Sequence, residues 1–203
     1  MRFTIGFEKK DTKKLHRYWE KIIDKQQWSE GYYTKTFEEK WSEYNNLKSV
    51  AFSSWGGAAL AALEFFNIKG KTVLCPSNTF MATPLAAIKA GNRVEFVDCN
   101  KEDLCLSYED LKNKIDIYHP AAVWVVHIGG HIAFEIEQIA NLCKEKGVIL
   151  LEDCAHAQGA SWNGKKPGSW GEAGLYSFYA TKTISTGEGG MLTSSNNDLV
   201  DFA

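Results

Sequence analysis

From about residue 49 onward, short apolar runs alternate with longer segments whose apolar positions recur at helical spacing. The runs Ser49–Ser53, Thr72–Cys75, Val94–Val97, Ala122–Val126, Val148–Glu152, Leu175–Phe178 and Gly190–Thr193 are nearly continuous in apolar character, as expected of strands buried on both faces. Between them, GGAALAALEFF, MATPLAAIKAG and FEIEQIANLCKEKG read as helices, and the last two end on Gly91 and Gly147, where a glycine stop is common. The pattern predicts an α/β domain, a parallel sheet of seven strands covered by helices on both faces.

The first 48 residues differ: DTKKLHRYWEKIIDKQQW and TFEEKWSEYNN predict two amphipathic helices separated by SEGYY, an appendage placed to cap the sheet or to reach a partner subunit. The chain therefore divides into a helical segment over 1–48 and an α/β domain over 49–203. Its last residues, NNDLVDFA, read as the start of a helix. There is neither internal repeat nor low-complexity segment.

Composition narrows the function classes. At 203 residues and 44% hydrophobic content, the chain supports one main domain with a buried core. A net charge of -2, with lysines scattered among acids, gives no basic stripe for nucleic-acid phosphates. The N-terminal stretch lacks a leader pattern, and no apolar run is long enough to cross a bilayer, so a soluble, cytoplasmic protein is expected. Cys75, Cys99, Cys105, Cys143 and Cys154 are odd in number and have no CxxC spacing, which argues against a disulfide framework or a zinc site and for reduced thiols near the core.

Ligands of open α/β sheets bind at the carboxyl ends of the strands, and four such ends carry informative residues. In SSWGGAAL, Gly56, Gly57 and Ala58 open a helix whose free N–H groups suit a phosphate; the same residues also suit a tight turn that packs helix on sheet. In PSNTFMAT, Phe80 could stack on a planar ring or lie in the core. In LLEDCAHAQGA, a buried strand ends at Glu152–Asp153, and a buried carboxylate needs a cation or donor. A protonated heteroaromatic nitrogen would serve Asp153, with His156 beside the same ligand; capping of a following helix is the alternative. In SFYATKTISTGEGG, Lys182 stands among small and hydroxyl-bearing residues, where desolvation could free its amine as a Schiff-base nucleophile, and Ser177 and Thr181 offer hydroxyls to a phosphate. A solvated loop lysine is the bland reading.

In this order the motifs resemble the DegT/DnrJ/EryC1/StrS family of pyridoxal-phosphate-dependent sugar aminotransferases. The resemblance runs from about Trp28 through EGYYTKTFEEKWSEYNNLKSVAFSS to the end of the chain and is densest in EDCAHAQGASWNGKKPGSWGEAGLYSFYATKTISTGEGGMLTS. It implies a three-layer α/β/α fold with a mostly parallel seven-stranded sheet, the large domain of fold-type I, aspartate aminotransferase-like enzymes. It further implies that Lys182 forms the internal aldimine and shuttles the proton, that Asp153 pairs with the pyridinium nitrogen, and that His156 lies near the phenolic oxygen. Phe80 would stack on the ring, while Ser177, Gly57 and Ala58 would cradle the phosphate. The reaction implied is amino transfer from an amino acid, usually glutamate, through pyridoxamine phosphate to a nucleotide-linked keto-sugar, in a homodimer. Some relatives carry histidine in place of the lysine and act as dehydratases; Lys182 favours amino transfer.

Two residues depart from the family pattern. Gly57 stands where threonine is frequent, and Trp55 is bulkier than the usual residue. The chain also ends at Ala203, before the second, smaller domain of the family, so the expectation is a cofactor-binding large domain without its C-terminal partner. A cofactor-binding or regulatory domain without turnover is the alternative function.

Overall fold

The computed structural model describes residues 6–203; the first five, which belong to the stretch read for a leader and to the 1–48 segment, lie outside them. The elements run α1 (Lys9–Lys25), α2 (Tyr32–Asn45), β1 (Lys48–Phe52), α3 (Trp55–Phe65), β2 (Thr72–Pro76), α4 (Ala82–Lys89), β3 (Arg93–Val97), α5 (Tyr108–Tyr118), β4 (Ala122–Val126), α6 (Ile136–Lys146), β5 (Ile149–Asp153), β6 (Ala173–Ser177), β7 (Gly190–Ser194) and α7 (Asn197–Phe202). The seven strands form one sheet in the order β1-β7-β6-β5-β4-β2-β3. β7 is antiparallel to both its neighbours, and the remaining pairs are parallel.

Strands β4, β5 and β6 sit inside the sheet and are buried nearly throughout, which is why they read as apolar runs. Side chains alternate between the faces. Leu151, Leu175 and Leu192 meet α3, α4 and α7 on one face. Val123, Val125 and Leu150 meet α5 and α6 on the other, where α2 covers Tyr176, Phe178 and Met191 through Trp41. The result is three layers. α6 stops on Gly147 in the left-handed region (φ 65°), as its sequence predicts.

Three local readings change. α2 starts at Tyr32, so Tyr32 and Tyr33 belong to the helix and not to the connection. Helix α5 was not anticipated, although Ser107 caps it by accepting from the Asp110 N–H. α1 has no buried residue and leaves Leu15, Trp19 and Ile23 about half exposed. It touches α2 through Tyr18 and Tyr33, whose ring centroids lie 4.6 Å apart. Among the described residues no helix is long and apolar enough to cross a membrane. All five cysteines are free, and burial pushes the thiols of Cys75, Cys105 and Cys143 up to about 12, which makes them poor nucleophiles.

Candidate active site at the carboxyl edge of the sheet

Strand register gathers the candidate residues at one edge. Val126 pairs with Asp153 and Asp153 with Leu175, while Ser177 and Phe52 both pair with Gly190. The ends of β4, β5, β6 and β1 and the start of β7 therefore lie side by side.

Asp153 ends β5 on the α3/α4 face. Its carboxylate is only 5% exposed and accepts two hydrogen bonds: the Thr83 hydroxyl donates to Oδ2 at 2.8 Å, and the Ala155 N–H to Oδ1 at 3.0 Å. No helix follows β5, so the capping alternative falls away; the bond to Ala155 is a local turn. Burial raises the Asp153 pKa above the ordinary carboxylate value, against the opposing pull of its hydrogen bonds, Lys182 and His156. Lys182 is half-buried, and desolvation lowers its ammonium pKa while Asp153 raises it. His156, also half-buried, is lowered by burial and by Lys182. Three titratable groups thus share one field, with Lys182 partly withdrawn from solvent. No ion pair within 4.0 Å is found between Lys182 and Asp153 among the described residues, so the carboxylate is left without a close cation.

The helix α3 supplies the second part of the site. Ser54 caps it, accepting the Gly57 N–H at 3.3 Å, and the Ala58 N–H donates to the Ser54 carbonyl at 3.4 Å. Both amides read as a phosphate cradle are thus engaged, over long distances, in the helix's own first turn. Ala58 has no exposed surface, so neither its side chain nor its backbone lies open to a ligand. The amides of Trp55 and Gly56 precede the first intrahelical bonds, and free N–H groups at a helix N-terminus favour an anion. The bulky Trp55 turns away from this mouth: its Nε1–H donates to the Leu175 carbonyl at 3.1 Å, and its ring meets Trp124 in the core. Gly190 is required here, since a Cβ on it would collide with the Ser54 carbonyl group and come within 2.7 Å of the Trp55 nitrogen. The GEGG glycine therefore seats β7 against the backbone of the α3 cap. Ser177, 7% exposed, accepts the Tyr179 N–H at its Oγ and keeps its own hydrogen for another acceptor. Phe80 is 73% exposed beyond the end of β2, which excludes the core reading for its side chain.

Sequence reasoning missed three supporting residues. Thr83 in the first turn of α4 holds Asp153, as above. Gln158 is buried, and its Nε2 donates to the carbonyls of Ser177 at 2.5 Å and Ala155 at 3.2 Å, tying the end of β6 to the loop after β5. His127 donates from Nε2 to Glu152 at 3.0 Å while its Nδ1 accepts the Ala133 N–H, which fixes the tautomer. Glu152 also takes N–H groups from Gly168, Trp170 and Gly171 at 2.6–2.8 Å, so its carboxylate is saturated on the face opposite Asp153. The only signal for this in the sequence was the ED pair ending a buried strand.

Comparison with known proteins gives the family and the fold. The sequence profile of the DegT/DnrJ/EryC1/StrS aminotransferase family matches residues 9–203. The chain belongs to this family. It is 37% identical over 175 residues to a GDP-perosamine synthase of Vibrio cholerae, covering 85% of the chain and 47% of that relative. Its fold matches a DegT/DnrJ/EryC1/StrS aminotransferase from Brucella abortus with a TM-score of 0.89 at 25% identity, over 94% of this chain and 53% of that one. A GDP-4-keto-6-deoxymannose-3-dehydratase with a trapped PLP–glutamate geminal diamine matches at 0.83 and 25% identity, over 91% and 50%. The chain spans about half the length of the curated relatives it matches. The seven-stranded α/β/α sheet is thus that of the large domain of fold-type I enzymes.

Proposed function

We propose that this chain is the cofactor-binding part of a pyridoxal-phosphate-dependent aminotransferase that moves an amino group from glutamate to a keto-sugar carried on a nucleotide. One observation carries the reading: the buried Asp153 carboxylate, without a close cation among the described residues, shares its field with a half-buried lysine, on the sheet edge that also holds a helix N-terminus and a buried serine. Pyridoxal phosphate fits such a donor set. Its ring nitrogen is the cation Asp153 lacks, its aldehyde is an electrophile for Lys182, and its phosphate is an anion for the amides of Trp55 and Gly56 and the hydroxyl of Ser177. Gly57 and Ala58 would contribute through the helix that aims those amides, His156 would meet the ring's phenolic oxygen, and Phe80 would cover its face.

The cofactor, when bound, supplies the electron sink for bonds made and broken at the amino-bearing carbon. The protein's own share is narrower. Asp153 would hold the ring nitrogen in its charged form, desolvation would keep Lys182 Nζ available as a nucleophile and as a proton carrier, and the sheet edge orients both. The glutamate donor and the nucleotide-linked sugar rest on the kinship reported above. We place the chain in the cytoplasm on the strength of its five free thiols, four of them buried. A homodimer is proposed from the unpacked apolar residues Leu15, Trp19 and Ile23 of α1, and light scattering checks it.

The test is to add pyridoxal phosphate to the purified chain, record the absorbance spectrum, reduce with borohydride and map the labelled peptide. A visible band fixed onto Lys182, and absent from Lys182→Ala, is the expected result. Label scattered over surface lysines would overturn the assignment. Release of 2-oxoglutarate from glutamate in a half-reaction then separates amino transfer from cofactor binding without turnover.

A further inference from the structure

Thr83 has no exposed surface, and its hydroxyl makes two bonds: it lies 2.8 Å from Asp153 Oδ2 and 2.9 Å from the Thr79 hydroxyl. A hydroxyl has one hydrogen to give. With Asp153 ionised, that of Thr83 goes to the carboxylate, and the Thr79 hydrogen goes to the Thr83 oxygen at 2.9 Å in preference to its other acceptor, the Phe80 carbonyl at 3.3 Å. The result is a directed chain, Thr79 to Thr83 to Asp153, in which each bond polarises the next. The Ala155 N–H holds the other carboxylate oxygen, so two donors from two different elements fix the plane of the group. The Thr83 N–H also donates to the Phe80 carbonyl at 3.2 Å, so the same residue anchors the backbone that carries Phe80.

We propose that Thr83, backed by Thr79, is a positioning residue that fixes the Asp153 carboxylate for pairing with the cofactor's ring nitrogen; the assignment rests on the cofactor reading above. A buried carboxylate turned away from the ring, or protonated by loss of its donor, cannot hold a charge on that nitrogen. Thr83 faces the carboxylate from α4, while Lys182 and His156 act on it from the loops after β6 and β5.

The experiment compares dissociation constants of pyridoxal phosphate and of an isosteric analogue with carbon in place of the ring nitrogen, using the parent chain, Thr83→Val and Thr83→Ser. Valine removes the hydroxyl and keeps the branched shape. We expect Thr83→Val to weaken pyridoxal phosphate about tenfold while changing the analogue less than about twofold, and Thr83→Ser to recover most of the loss, as for a charge-assisted hydrogen bond. Equal weakening of both ligands would make Thr83 a packing residue and overturn the proposal, as would no change in either. Should Thr83→Val fail to fold, Thr79→Val tests the same chain, with a loss of about threefold confined to pyridoxal phosphate; an unchanged ratio of the two ligands overturns it. Borohydride trapping separates the two levels of inference. A parent chain that captures no cofactor at Lys182 refutes the cofactor reading and this role together, whereas capture that is indifferent to Thr83 refutes the role alone.

Discussion

Glu152 and Asp153 follow one another on β5 and both are buried, yet among the described residues Glu152 accepts from His127 and three backbone amides while Asp153 accepts from two donors. Alternation along the strand sends them to opposite faces. On one face Glu152 closes the 168–171 loop over the sheet, and its charge is consumed in doing so. On the other, Asp153 keeps unspent charge beside Lys182 and His156. Burial alone therefore does not distinguish a structural acid from a functional one; the number of donors around it does.

The comparison breaks most visibly at Glu152. Alanine there orphans four buried or half-buried donors, each costing about 1–3 kcal/mol, so a loss of at least about 3 kcal/mol and a fall in melting temperature on the order of 10 °C are expected. Thermal unfolding measures it, and a variant melting with the parent would remove Glu152 from the framework. Asp153→Asn has the opposite sign in the cofactor-free chain. Because burial raises its folded-state pKa, the folded state holds that proton more tightly than the unfolded state does. The stability this group contributes is complete below the ordinary value of 3.8 and is lost as pH rises through the raised value. Asparagine is neutral throughout, so the variant should melt above the parent at neutral pH, with a flatter pH profile, and should bind pyridoxal phosphate about ten- to a hundredfold more weakly. Parallel melting curves across pH would mean that Asp153 carries no strain in the empty site.

What the sequence disclosed follows the range of the interactions. Strands β4, β5 and β6 were legible because burial on both faces leaves an apolar run that needs no knowledge of its neighbours. The edge residues were legible because loops after parallel strands are where a lysine, a carboxylate and a glycine turn carry chemistry. Thr83 was not, since its bond to Asp153 spans 70 residues and leaves no periodic trace. The Glu152 network was hidden for the same reason. Trp55 reads in the sequence only as a residue bulkier than usual, because its rotamer is invisible there; in the fold its indole goes to the core. Helix α5 does leave a local trace, its Ser107 cap followed by acidic residues in the first turn.

The smallest expected effect sharpens the contrast furthest. Phe80 is 73% exposed, and its carbonyl, not its ring, is what the fold uses, accepting from the Thr83 N–H. Truncation in Phe80→Ala should therefore leave the melting temperature of the empty chain within the noise of a surface change, about 0.5 kcal/mol. If the ring serves to cover a planar cofactor, the same variant loses about 0.5–1.5 kcal/mol of pyridoxal phosphate affinity, a several-fold rise in Kd, and Phe80→Tyr recovers it. A drop in stability with unchanged affinity would assign the ring to packing. Placed beside the two acids, the outcome orders the residues by one criterion: Glu152 stabilises the empty fold, Phe80 is indifferent to it, and Asp153 opposes it. Indifference or opposition, measured without cofactor, marks a side chain held for a ligand.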